Sequence, residues 1–373
     1  MAGDPSSARL STTLCGIPLK NPVLAASGTF AYGVEFAPIL DLNRLGGFVV
    51  KGLSREPMDG NRPPRVWEAT AGMMNSIGLQ NIGVRAFVEQ KLPALAKLST
   101  SVFANVFGYS IEDYTEVVRV LEDHKGLAGY ELNVSCPNTK HGGIFFSSDP
   151  ALLGQVVERV KWIAKRPVIV KLSPNVARIE PLARAAEAAG ADAISLVNTF
   201  VALAIDIRTR RPRLGAGFGG LSGPAIKPIA LRLVYEAAQA VKIPVVGLGG
   251  IRSGEDAAEF LIAGASAVEV GTASFWDPAS PLRIAGELDQ VLQEEKIGSV
   301  RDLVGTLKFG ERSCESSRRL SRPATPHRRL APIRRLSSTT AWCFAAARFR
   351  STPPRARWSR AASPSRLRAC WKT

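Results

Sequence analysis

Along the first 310 residues, short apolar runs alternate with longer segments in which apolar positions recur at helical spacing. The runs are "PVLAAS" from Pro22, "GFVVKG" from Gly47, "VFANV" from Val102, "YELNVS" from Tyr130, "PVIVKLS" from Pro167, "AISLVNT" from Ala193, "PVVGLGG" from Pro244 and "AVEVGT" from Ala267. Each is the length of a buried strand and too short for a helix. Between them, "IEDYTEVVRVLEDH", "DPALLGQVVERVKWIAKR" and "IEPLARAAEAAG" carry apolar stripes that predict amphipathic helices, the last with Gly190 at a C-cap position. Another helical segment is expected around residues 281–295. Strand–helix alternation predicts a parallel sheet, and eight strands in this length fit a (β/α)8 TIM barrel better than an open doubly wound sheet.

The residues that follow the runs sharpen this expectation. Ser27-Gly28, Lys51-Gly52, Asn105, Asn133, Lys171, Asn198-Thr199, Gly249-Gly250 and Gly271-Thr272 stand at the eight carboxyl ends. In a barrel these ends converge on one face, where active sites of the fold are built. Glycine and asparagine also stop strands for purely local reasons, so they are weak signals singly. The two lysines are stronger, because a lysine leaving an apolar strand for the barrel mouth needs a polar or anionic partner. Residues 53–100 form a long insertion after the second run, containing "PMDGNRPPR" and "GMMNSIGLQNIG". A loop of that length in a compact domain is more often functional than incidental.

The net charge of +16 suggests a polyanion partner until its distribution is read. From Glu311 onward there are 16 Lys+Arg against 2 Asp+Glu, a net of +14, leaving 32 against 30 in the first 310 residues. The body is nearly neutral and offers no basic surface, which argues against specific nucleic-acid binding. The tail 311–373 is rich in Arg, Ser, Pro and Ala, lacks periodicity and is expected to be disordered and basic. Its abrupt onset resembles GC-rich DNA translated in a shifted frame. Five cysteines at 15, 136, 314, 343 and 370 form no CxxC pair, and only three histidines are present, so no metal centre and no disulfide framework are expected. No run reaches the roughly 18 to 20 apolar residues of a membrane span, and the N-terminus lacks a secretory pattern, so a cytoplasmic protein is expected.

Candidate chemistry lies in the mouth. "GLGG" and "VGT" end the seventh and eighth runs, where loops of this fold commonly cradle a phosphate on bare backbone amides. The GxGxxG match "GAGFGG" at 215–220 follows a basic stretch rather than a strand and precedes Pro224, so no nicotinamide site is expected. Lys51 and Lys171 would supply positive charge to an electron-rich ring or an anion. Asn75, Asn105, Asn133 and Asn198 offer paired donors and acceptors suited to a flat heterocycle bearing amides. Cys136, in a polar loop after the fourth run, is a candidate base or nucleophile; buried, it would be inert.

Taken in order, "NSIGLQN" at 75, "ELNVSCPN" at 131, "VKLSPNV" at 170, "AISLVNT" at 193, "AIDIRTRRPRL" at 204, "GLSGPAIKP" at 220, "VVGLGGI" at 245 and "AVEVGTA" at 267 resemble the catalytic subunit of class 1B dihydroorotate dehydrogenases over residues 10–310. The resemblance implies an FMN-binding catalytic barrel, residues 1–310, that oxidises dihydroorotate to orotate in pyrimidine synthesis. Cys136 would take a proton from carbon 5 while a hydride passes from carbon 6 to the flavin. Ser27, Lys51, Gly52, Asn105, Asn133, Lys171, Val197, Gly223, Gly249, Gly250, Gly271 and Thr272 match the family's FMN contacts. Lys51, Asn75, Ser76, Ile77, Gly78, Leu79, Asn133, Asn198 and Thr199 match its substrate contacts. It further implies a homodimer joined by a partner subunit carrying FAD and an iron-sulfur cluster, which passes electrons to NAD. A fumarate-using class 1A enzyme shares the cysteine and flavin motifs and is the alternative. The runs "NTFVALAID" and "LGAGFGGLSG" differ in detail from the family's usual ones, and the tail departs from it altogether.

Overall fold

The computed structural model describes residues 3–135, 146 and 148–309. The chain divides into two units, 1–308 and 309–373; the basic tail expected from 311 lies outside the described residues.

All eight apolar runs form strands: β1 (Val23–Ala25), β2 (Gly47–Leu53), β3 (Ser101–Val106), β4 (Gly129–Asn133), β5 (Val168–Lys171), β6 (Ala193–Leu196), β7 (Val245–Leu248) and β8 (Ala267–Val270). They pair in parallel, each with its neighbours in sequence, and β8 closes on β1 to complete the barrel. The crossovers are α1 (Val84–Gln90), α2 (Ile111–Glu122), α3 (Pro150–Ile163), α4 (Glu180–Ala188), α5 (Lys227–Ala240) and α6 (Gly254–Ile262), with α7 (Ser280–Glu294) after β8. Both α2 and α6 open with a capping box, Ser110 with Asp113 and Ser253 with Asp256, which satisfies the first free backbone amides. Helix α4 ends at its C-cap Ala189, and Gly190 follows with φ +90°.

Strand alternation divides the apolar residues between two cores. Val23, Ala25, Phe48, Val50, Tyr130, Leu132, Val168, Val170, Ile194 and Val268 belong to the large core shared with the helices. Leu24, Val49, Phe103, Ile169, Ala193, Val246 and Ala267 fill the barrel interior, plugged by Leu14 and Leu19 of an N-terminal hairpin (Thr12–Leu14 with Ile17–Leu19). Two residues further along the strands, the same inward positions carry Asn105, Lys171, Ser195 and Glu269. The interior therefore turns from apolar to polar toward the carboxyl ends.

The insertion expected as a loop at 53–100 has structure of its own. Val66–Ala69 and Gly72–Asn75 pair antiparallel, and Gly219–Ser222 and Phe200–Ala202 extend them into a four-stranded sheet. Glycine-rich runs such as "GMMN" and "GGLS" carry no apolar alternation, so their pairing is set by tertiary contacts rather than local pattern. "GAGFGG" leads directly into one of these strands, in keeping with the expectation that it forms no dinucleotide-binding turn. Pro224 opens a short 3-10 turn, after which α5 begins.

Candidate active site

At the mouth, three loops approach one another closely. An added Cβ at Gly250 would lie 2.9 Å from the Gly223 carbonyl oxygen, and one at Gly223 would lie 3.5 Å from Thr272 Cγ2. Both glycines have left-handed backbones, φ +85° and +97°, which side chains rarely adopt. Thr272 Oγ1 donates to Ser222 Oγ at 2.8 Å, joining the end of β8 to the four-stranded sheet. Gly249 backs onto the buried Val197, 3.2 Å from an added Cβ to Val197 Cγ2. The Ala26 amide donates to Val270 O at 2.9 Å, which sets Ser27 beside Gly271. The sequence-predicted phosphate residues are thus brought together, packed so closely that a side chain at Gly223 or Gly250 would meet neighbouring backbone.

Below this rim lies a layer of buried charge. Lys171 Nζ is 3.2 Å from Glu131 Oε2 and 3.1 Å from Glu269 Oε2. Asn105 Nδ2 donates to Glu131 Oε2 at 2.6 Å and Ser195 Oγ to Glu131 Oε1 at 2.8 Å. Lys171 is 5%, Glu131 0% and Glu269 1% exposed, so the charges must settle among themselves. Burial pushes all three toward neutrality, but Lys171 and the surrounding donors outweigh it at Glu131, whose carboxyl stays below its usual range. The two carboxylates likewise outweigh burial at Lys171 and raise its ammonium. At Glu269, burial and then the Glu131 charge push the carboxyl up to about 8. These directions favour the charged forms at Lys171 and Glu131 and the protonated acid at Glu269. The partner that Lys171 was expected to need is therefore supplied by the protein.

Lys51 differs. The β2–β3 register shifts between Val50 and Leu53, a bulge that re-aims Lys51 and Gly52, and Gly52 backs onto Asn105 with an added Cβ 2.9 Å from its Oδ1. Burial, then Arg65, lowers the Lys51 ammonium below the usual lysine range. Among the described residues it has no hydrogen-bond or ion-pair partner.

The amide-bearing residues form a second group. Asn133 Oδ1 accepts from Asn198 Nδ2 at 3.2 Å and from the Ser135 amide at 3.2 Å. Asn198 Oδ1 accepts from the Thr199 amide at 2.8 Å. Asn75 pairs with Gly220, against which Thr199 packs. The loop Ser76–Leu79 is tied down by the Ser76 amide to Arg65 O (2.7 Å) and the Asn61 amide to Ile77 O (3.0 Å), with Gly78 and Leu79 at φ +74° and +58°. Ser76, 4% exposed, has a hydroxyl with no partner among the described residues. A buried hydroxyl in that condition suits an incoming polar ligand.

Cys136 lies outside the described residues. Its neighbour Ser135 donates from Oγ to Lys171 O at 3.0 Å, and Tyr114 Oη supports the strand end by donating to Asn133 O at 2.9 Å. Sequence reasoning missed Glu131, Ser195 and Glu269. The signal was present: "YELNVS" and "AVEVGT" each place a glutamate within an apolar strand, the same anomaly that singled out Lys171. No group of metal-ligating side chains occurs among the described residues.

Residues 9–292 match the family model described as dihydroorotate dehydrogenase. A Solibacter usitatus protein named "Putative dihydroorotate dehydrogenase A (fumarate)" is 76% identical over 301 residues, 81% of this chain and 99% of that protein. Proteins of Citrifermentans bemidjiense and Geobacter sp. strain M21, each named "Dihydroorotate dehydrogenase B (NAD(+)), catalytic subunit", are each 52% identical over 300 residues, 80% of this chain and 98% of theirs. With the barrel, the glycine-lined rim and the charged layer, these matches establish that the chain belongs to the dihydroorotate dehydrogenase family, a family of flavin-dependent oxidoreductases.

Proposed function

We propose that the chain binds FMN in the barrel mouth and oxidises dihydroorotate to orotate as the catalytic subunit of a class 1B enzyme. The observation that carries this reading is a glycine-lined rim, Gly223, Gly249 and Gly250 beside Thr272, together with the polar barrel interior around Lys171. The residues fit the cofactor: backbone amides at the rim suit a phosphate, and Lys171, Asn105 and Asn133 suit the pyrimidine edge of a flavin. Ser27, Lys51, Gly52, Val197 and Gly271 complete the proposed FMN contacts.

When bound, FMN supplies the hydride acceptor for carbon 6 of the substrate. Lys51, an ammonium without a hydrogen-bond or ion-pair partner among the described residues, holds the substrate carboxylate. Asn133, Asn198 and Thr199 read its amide edge from one side, and Asn75, Ser76, Ile77, Gly78 and Leu79 from the other. The orphan Ser76 hydroxyl supports this arrangement. Cys136 takes the proton from carbon 5 as general base, a role typically worth about 10² to 10⁴-fold in rate.

We assign electron exit to a partner subunit carrying FAD and an iron-sulfur cluster, and from there to NAD, in an assembly built on a homodimer in the cytoplasm. The names of the Citrifermentans and Geobacter relatives, with NAD(+) and a catalytic subunit in them, support NAD as the acceptor and the existence of a partner subunit. No helix among the described residues is long and apolar enough to cross a membrane. The Solibacter relative favours a second reading, in which fumarate is the acceptor.

Anaerobic dihydroorotate added to the purified chain should bleach a flavin spectrum. Reoxidation then separates the acceptors: return of colour with fumarate alone selects the second reading, and slow reoxidation until the partner subunit and NAD are supplied selects the first. A protein that carries no flavin and takes up none would overturn both.

A further inference from the structure

We propose that Glu269 is a positioning residue that, by sharing the Lys171 ammonium with Glu131, governs how much positive charge acts on the flavin. The inference rests on FMN binding in the mouth. An ammonium has three donors. Two of those on Lys171 are taken by carboxylates at 3.2 and 3.1 Å, leaving one for a ligand.

The two carboxylates are not equivalent. Glu131 also accepts from Asn105 and Ser195, a set of donors that stabilises it as the anion. Glu269 shares the Lys171 ammonium and a hydrogen bond with Glu131, and gains no neutral donor among the described residues. Its pairing partners in the barrel are Leu248 on β7 and Leu24 on β1, and among the described residues the charged groups that face it are Glu131 from β4 and Lys171 from β5. Proton uptake by the layer therefore falls on Glu269, which burial and Glu131 hold up to about 8. With Glu269 protonated, the layer has no net charge. With Glu269 ionised, it carries one net negative charge beneath the site where reduction would add electrons, and reduction becomes harder. Neither the phosphate rim nor the asparagine group contains a titrating carboxylate that could produce this effect.

The test is the midpoint potential of the flavin-loaded full chain against a reference dye from pH 6 to 10, for the wild type and Glu269→Gln. Glutamine keeps the shape of the protonated acid and cannot ionise. The two proteins should coincide at pH 6. By pH 10 the reduced-to-oxidised flavin ratio of the wild type, at equal dye potential, should fall about tenfold below that of Glu269→Gln, a separation of roughly 30 mV for a two-electron couple. Curves that coincide or run parallel throughout would overturn the proposal. Should Glu269→Gln fail to fold, the wild-type curve decides alone, since it must steepen around pH 8, and a curve without that change of slope refutes the role. A wild-type protein whose visible spectrum shows no flavin after FMN addition fails at the earlier step, and the FMN reading falls together with this one.

Discussion

Replacing Lys171 with methionine keeps the length of the side chain and removes the only ammonium from the buried layer. At 3.2 and 3.1 Å, and at an effective dielectric near 20, each ion pair is worth roughly 5 kcal/mol of gross Coulomb attraction. Only one carboxylate is ionised near neutral pH, so one such term operates there, less the several kcal/mol needed to desolvate the ammonium. Methionine leaves Glu131 buried without its cation, a situation that typically costs about 3 to 5 kcal/mol. The loss should depend on pH with a definite sign. Lowering the pH lets Glu131 protonate as Glu269 already has, and neutral acids no longer need the cation. Raising it through the Glu269 range ionises a second carboxylate, and the deficit grows. In the parent, the raised Lys171 ammonium contributes fully below the unfolded lysine value and is lost only above it, outside the range tested. Urea unfolding of flavin-stripped parent and Lys171→Met proteins at pH 5, 7 and 9 measures the difference. A deficit under about 1 kcal/mol at pH 9, or one that does not shrink toward pH 5, would refute the reasoning.

Three further outcomes are expected. Cys136→Ala should lower the rate of flavin reduction by dihydroorotate about 10² to 10⁴-fold while the flavin stays bound, as stopped-flow absorbance will report; near-normal rates at neutral pH would remove Cys136 from the base role. Gly250→Ala places a Cβ 2.8 Å from Lys227 Cβ and 2.9 Å from Gly223 O on a backbone at φ +85°. A strain of about 1 to 3 kcal/mol is expected there, seen as weaker FMN retention on gel filtration, and unchanged retention would argue against a phosphate at this rim. A chain ending at Gly310 should match the full chain in flavin content and turnover and lose any salt-sensitive retention on nucleic acid, because the +14 charge of the tail is a polyanion attractant with no place in the barrel count. Loss of dihydroorotate oxidation on truncation would make the tail a working part.

The barrel was legible because buried parallel strands write themselves as apolar runs: "PVIVKLS" and "AISLVNT" need no tertiary information to be recognised, and the residues that end them sit on one face by topology alone. The four-stranded sheet was not. Its strands pair across some 145 positions, from Met73–Asn75 to Gly220–Ser222, and glycine-rich segments have no local preference to announce that pairing. The site divides along the same line. Lys171 could be singled out as a charge inside an apolar run, but its expected role as free positive charge in the mouth presumed that its partner would be a ligand. Glu131 and Glu269 show the same anomaly, and strand alternation puts all three residues on inward positions, so their meeting could have been inferred from the eight-strand order. What the sequence does not carry is the division of one proton among them. That depends on burial, on two carboxylates sharing one Lys171 ammonium, and on Asn105 and Ser195 donating to Glu131 at 2.6 and 2.8 Å. Two glutamates identical in the sequence become an anion and an acid through their neighbours on adjacent strands, and this difference makes the charge of the barrel interior responsive to pH.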